Sequence, residues 1–247
     1  MYNGVYCEFL KLKRSPIIFA LIIGAVIEPL LMLMVEIYLR RRGHILQWDI
    51  YMINTQLMTF LIAGLIVFTL VASYIYSREF AEKVEYTAYS YPLSKTKIFI
   101  CKLITVFGCI AFVYALQFIT ILITGIIIDH GPLEKDFLIL SIKIYGYSML
   151  FQFAIAPLGI LIASVSRNSI VPMIYSIIGT IAVFAIERFG KDNTYFPLSY
   201  PVMPILSAIR NDMKIVINSH SIIIAVMFFI ITSALCIIYY KKSDIAR

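Results

Sequence analysis

Residues 17–38 read IIFALIIGAVIEPLLMLMVEIY, an apolar run broken only by Glu28 and Glu36. As a helix, such a run covers about 30 Å, the thickness of the hydrocarbon layer of a bilayer. Working outward, runs of the same kind recur at 57–76, 104–128, 144–163, 170–186 and 222–240. The spacing predicts an all-α polytopic membrane protein with six transmembrane helices, forming one transmembrane domain over 1–247. The first run follows Lys11, Lys13 and Arg14 and is too long and unbroken for a cleavable signal, so it is expected to stay as the first span.

Composition agrees. Hydrophobic residues make up 61% of the chain and charged residues 14%, so a soluble fold would expose far more apolar surface than water tolerates. The net charge of +7 sits in the caps between apolar runs and forms no continuous groove, which argues for membrane phosphates as partner and against nucleic acid. Cys7, Cys101, Cys109 and Cys236 have neither metal-ligand spacing nor a CxxC pair, and free thiols are expected. His44, His130 and His220 are far apart in caps and read as surface histidines. Trp48 and the many tyrosines near span ends suggest an aromatic belt.

Between the spans lie three stretches of a different kind. Residues 1–15 place Val5, Phe9 and Leu12 at helical spacing beside Glu8, Lys11, Lys13 and Arg14, the pattern of an amphipathic interfacial helix. Residues 77–97 are the most polar internal stretch, with Phe80, Val84, Ala88 and Tyr91 on one stripe and an expected end near Pro92. By themselves they read as a solvated surface helix or a docking element. Residues 187–219 hold Pro197, Pro201 and Pro204 and are expected to dip back against the outer membrane surface. With both termini in the cytoplasm, 12 of the 21 Lys and Arg lie inside; Arg40, Arg41 and Arg42 oppose this orientation.

Polar residues inside the spans carry the remaining signal. A mid-span carboxylate such as Glu28 costs about 3 kcal/mol to insert, so it must face protein or water: either it lines a translocation path or it is a structural carboxyl. Pro29 beside it predicts a kink. Gln117 and Gln152 could hydrogen-bond across helices at about 1 kcal/mol each, or line the same path. Glu36 and Lys143 are expected to snorkel to the interface. No paired carboxylates, HExxH, GxSxG or P-loop occurs, so no catalysis by this chain and no cofactor of its own are expected.

The stretch REFAEKVEYTAYSYPLSKTKIFICK, residues 78–102, resembles the first cytoplasmic loop of the membrane subunits of type-2 ABC exporters: an acidic helix with Glu79, Glu82 and Glu85, then Thr87, then Pro92, Ser94, Lys95 and Lys97, and Lys102 opening the third span. That family often has glycine where Tyr86 stands. EFLKLKRSP, residues 8–16, is similar to its connecting helix. The resemblance implies that 77–97 is a coupling helix, with Arg78, Glu79, Glu82, Lys83, Glu85, Thr87 and Pro92 meeting a separate ATPase. It also implies that Glu8, Lys11, Lys13 and Arg14 belong to a connecting helix beside it. Two ATPase subunits, which hold ATP and Mg, and a second or paralogous permease copy are then expected partners in a bacterial plasma membrane. In its start and compact size the chain looks most like Gram-positive permeases that protect producers against lantibiotics and bacitracin. A stand-alone channel or secondary transporter is the alternative, for which several intramembrane charges and paired halves are expected.

Overall fold

The computed structural model describes residues 2–13, 15–43, 47–81, 94–128, 133–189 and 195–242. The first helix, α1, is Tyr2–Lys13, and α2 is Ile17–Arg41. Then come α3 (Trp48–Met58), a π-helical turn (Thr59–Ala63) and α4 (Gly64–Ala81). After these follow α5 (Lys95–Ile128), α6 (Lys135–Ser166) and α7 (Ile170–Phe189). A 3₁₀ turn (Pro197–Ser199), α8 (Met203–Arg210) and α9 (Ser219–Lys242) complete the order, with no strand among the described residues. Among the described residues five helices are long and apolar enough to cross a membrane, α2, α5, α6, α7 and α9; α3 with α4 makes a sixth if that bent pair is one crossing. The protein is an all-α polytopic membrane protein.

α4, α5 and α6 form the centre: α2 packs along α5, α7 along α4, and α9 along α6. Glycines set the closest approaches. A methyl group on Gly179 of α7 would lie 2.6 Å from Leu65 Cδ2 of α4, and one on Gly24 of α2 would lie 2.9 Å from Val67 Cγ2. Gly159 meets Thr69 only at ordinary contact, 3.5 Å. The outward faces carry large exposed aliphatics such as Ile23, Ile178, Ile181, Ile223 and Ile230. On a membrane protein these are the surface that acyl chains cover.

α1 lies against α5. Its Phe9 ring occupies the notch at Gly108, where a methyl group would come within 2.6 Å of Phe9 Cζ, and Leu12 is buried. Glu8 and Lys11 form an exposed pair at 2.6 Å, an interaction worth under about 1 kcal/mol, and Lys13 is exposed. Arg14 lies outside the described residues. Ser15 then caps the turn into α2, accepting the N–H of Ile17 at 3.2 Å and donating to the Tyr74 hydroxyl of α4.

Several expectations differ from what is observed. α2 runs as one helix from Ile17 to Arg41 with Pro29 inside it, and a bend of 42° that was not expected separates α3 from α4. The helical structure ahead of 57 starts at Trp48, and its polar residues Thr55 and Gln56 are fully buried. Residues 77–81 continue α4 and 95–97 open α5, so both ends of the expected loop helix are continuous with the neighbouring helices. Residues 82–93, with Glu82, Lys83, Glu85, Thr87 and Pro92, lie outside the described residues. α5 and α6 are longer than expected, since their polar first turns remain helical.

Side-chain burial differs too. Glu36 is 2% exposed and does not snorkel; it faces Tyr51, whereas Lys143 is exposed. Trp48 is not a lipid-facing belt residue. It is buried on Gly125 of α5, where a methyl group would come within 2.2 Å of Cζ3.

α6 and α7 are joined by a tight turn. The Arg167 N–H bonds the Ala163 carbonyl at 3.1 Å with φ at 51°, and Asn168 Oδ1 accepts the N–H groups of Ile170 and Val171. Ser77 of α4 reaches Ser169 at 2.8 Å across this end. The segment 195–218 folds back on the bundle, with α8 against α3 and α6 through buried Ile205 and Ala208. Tyr200 is buried beside Phe151, and burial pushes its hydroxyl above the ordinary tyrosine range.

Candidate functional site: a buried polar centre at the bent crossing

A π turn widens the helix by one residue and loosens its ladder, a local feature frequently found at functional sites. Here the Gly64 N–H reaches back to the Thr59 carbonyl. The widened turn meets three other helices through its polar and aromatic side chains. Gln117 of α5 donates from Nε2 to Thr59 Oγ1 at 2.9 Å, and Glu28 of α2 hydrogen-bonds the same hydroxyl. Gln152 Oε1 of α6 lies beside Gly64, 3.8 Å from where a methyl group would stand, an ordinary contact distance. Glu28, Gln117 and Gln152, distant in sequence, are thus gathered around one break.

Aromatic rings enclose the centre. Phe60 of the turn stacks on Tyr114 at 5.7 Å and meets Tyr145 edge-on at 5.2 Å, while Phe68 and Phe118 close the other sides. The space bounded by Thr59, Gly64, Phe68, Tyr114 and Gln117 has a cavity volume of ≈ 0 Å³, too little for a water molecule. Substrate cannot occupy it in this arrangement.

Four side chains on α6, Ser141, Tyr145, Ser148 and Gln152, recur at spacings of four, three and four, which puts them on one helix face. All are buried, and each holds a polar atom without a hydrogen-bond partner among the described residues. Gln56 of α3 is fully buried with neither side-chain polar atom partnered. On α3, Tyr51 bonds Thr124 of α5 at 2.6 Å and faces Glu36. The result is a polar seam along the inner faces of α2, α3, α5 and α6, running from the π turn toward Glu36.

Gln56, Thr59, Tyr145 and the α6 serines were not singled out in the sequence. Their one signal is the spacing on α6, which a hydropathy reading passes over because serine and tyrosine barely lower the mean. The opposite face of α6 borders a separate open concavity of ≈ 890 Å³, lined by Lys143, Tyr147, Lys214, Met213 and Ile222. At the inner sequence end of α5, Lys102 is fully buried with its ammonium 5.2 Å over the Tyr76 ring, beside Phe99 and Tyr240. No group of three or more His, Cys, Asp or Glu side chains is placed to hold a metal among the described residues.

Comparison with known proteins adds the last observation. A family model described as ABC-2 family transporter protein matches residues 5–183, which takes in α1, the bent crossing, α5, α6 and most of α7. It therefore includes every residue of the buried centre. A search of curated proteins found no match. The chain belongs to the ABC-2 transporter family and is a membrane-spanning permease subunit of an ABC transporter.

Proposed function

We propose that this permease forms half of an ATP-driven export path, with a second copy of itself as the other half and two ATPase subunits on the cytoplasmic side of a bacterial plasma membrane. The observation that carries this reading is the polar centre around Thr59, placed at a bent crossing inside the bundle. A polar route through a bilayer must be lined by groups such as Glu28, Gln117 and Gln152, and must be shut when idle. The closed packing fits the shut state. Opening then requires the crossings to tilt as rigid bodies, and residues 77–97 are the lever: Arg78, Glu79, Glu82, Lys83, Glu85, Thr87 and Pro92 meet the ATPase. α1, with Glu8, Lys11, Lys13 and Arg14, braces α5 from the membrane surface.

The proposed substrate is an amphipathic, membrane-active molecule such as an antimicrobial peptide, which would make the complex a resistance or immunity exporter. Such a molecule reaches the bundle laterally from lipid. The test is reconstitution of the permease with a candidate ABC ATPase, sought first in the neighbouring reading frames. Glu79, Glu82 and Glu85 reversed to lysine should abolish copurification while membrane insertion persists. Glu28→Gln should change transport without changing assembly. Substrate flux that persists without ATP or without the ATPase would instead point to a channel.

A further inference from the structure

The polar seam contains a carboxylate that the fold leaves with very little to balance it. We propose that Glu28 is a proton-binding site: its carboxyl holds a proton while the bundle is closed and releases it to water when the crossings around the π turn separate. The proposal uses the same centre as the export path, but not export itself.

An ionised carboxylate away from water costs several kcal/mol unless a cation, water or a proton answers it. The cation is lacking. Among the described residues no lysine or arginine pairs with Glu28, whose hydrogen-bond partner is Thr59 and which lies within electrostatic reach of Tyr145 of α6. From the helices packed on α2, α5 presents Tyr114 and α3 presents Tyr51, both beside Tyr145 and neither cationic. Cys109 of α5 lies about two turns from Gln117. Lys102 is about four turns away along α5 and sits over Tyr76. The Tyr74 hydroxyl of α4 meets Ser15, and Lys11 and Lys13 belong to α1 at that same end. Lys143 is exposed on the other face of α6.

Space on one side is already closed. Beside Thr59, the hydroxyl that Glu28 bonds, the cavity volume is ≈ 0 Å³, so no water or hydrated ion sits on that side of the pair while the packing is closed, and a proton answers the carboxylate without needing volume. The hydrogen-bond directions agree. Thr59 accepts the Gln117 amide hydrogen, which frees its own hydrogen for one carboxyl oxygen of Glu28. Glu28 Oε2 has no partner among the described residues, and it is the atom on which the proton rests.

The seam also supplies an exit. Gln56, the Tyr145 hydroxyl and Ser148 Oγ are buried with unused hydrogen-bonding capacity, so water entering between α2, α3 and α6 meets partners at once. Glu36 stands two turns beyond Glu28 on the same helix, beside Tyr51, about 12 Å farther along the seam.

The test uses the full-length permease alone in membrane vesicles with dicyclohexylcarbodiimide, an apolar reagent that adds to protonated carboxyls. The carboxyl oxygen bonds the carbodiimide carbon, the proton moves to nitrogen, and rearrangement leaves a stable N-acylurea. Peptide mass spectrometry should place the label on Glu28. Labelling should fall about tenfold for each pH unit above the midpoint. Infrared spectra should show a neutral carboxyl band that Glu28→Gln removes and Glu36→Gln leaves in place. Glu28 unlabelled at acid pH, labelling independent of pH, or an identical carboxyl band in Glu28→Gln each overturns the proposal. Neither measurement needs the ATPase or a substrate, so a failure here leaves the export reading to its own transport assay.

Discussion

Gly125→Ala tests the contact that holds α3, the first arm of the bent helix pair, in place. The added methyl group would stand 2.2 Å from Trp48 Cζ3 and 2.3 Å from Cη2. To restore even a tight contact of 3.0 Å the indole must retreat by about 0.8 Å, and a relaxed contact of 3.4 Å needs about 1.2 Å. The indole is 7% exposed and sits in the first turn of α3, so it can retreat only by lifting α3 from α5 or leaving its rotamer. Overpacking of this kind costs about 1–3 kcal/mol. For a chain of this size each kcal/mol lowers the melting temperature by about 2–4 °C. Trp48 is the sole tryptophan, so its emission reads the contact directly and should move to longer wavelength as the indole meets water or lipid headgroups. Trp48→Phe removes the colliding edge, and Gly125→Ala should then cost much less in that background. Unchanged melting and emission in Gly125→Ala, or costs that simply add in the double variant, would refute the packing argument.

Three further outcomes are expected. Thr59→Val keeps the branched shape but strips Gln117 and Glu28 of their shared partner; thermal unfolding in detergent should show a loss of about 1–3 kcal/mol, with most of it recovered by Thr59→Ser. Gly108→Val pushes the Phe9 ring from its notch, so hydrogen exchange over α1 should accelerate while α5 and α6 keep their protection. Of the four cysteines, Cys7 alone is exposed, and a water-soluble maleimide should modify it quickly and leave Cys101, Cys109 and Cys236 unreacted until the protein unfolds.

The apolar runs were legible because membrane insertion is decided by local composition: each run must satisfy its backbone internally and its side chains in lipid, wherever its neighbours are. The site was legible only in part. Glu28, Gln117 and Gln152 stood out as isolated polar residues in apolar surroundings, yet nothing local says that Thr59 receives the first two or that the third comes to lie beside Gly64. Pro29 marks one local weakness, and the 42° bend between α3 and α4 has another origin. A proline removes one hydrogen bond and α2 absorbs that loss, whereas the π turn at 59–63 arises where Thr59 and Phe60 have to meet α2, α5 and α6 together.

Glu36 and Trp48 show the same division. Near the end of an apolar run, each is expected at the interface, because a single helix offers no other way to meet water or headgroups. Packing supplies that way. α3 folds back so that Tyr51 faces Glu36, and Gly125 opens a slot for the indole. Sequence by itself determined that this chain is an all-α protein with several helices fit to cross a bilayer, since that follows from transfer free energies of short segments. Only tertiary structure decided which crossing bends and which polar residues share one dry centre, because those depend on contacts between helices that are far apart along the chain.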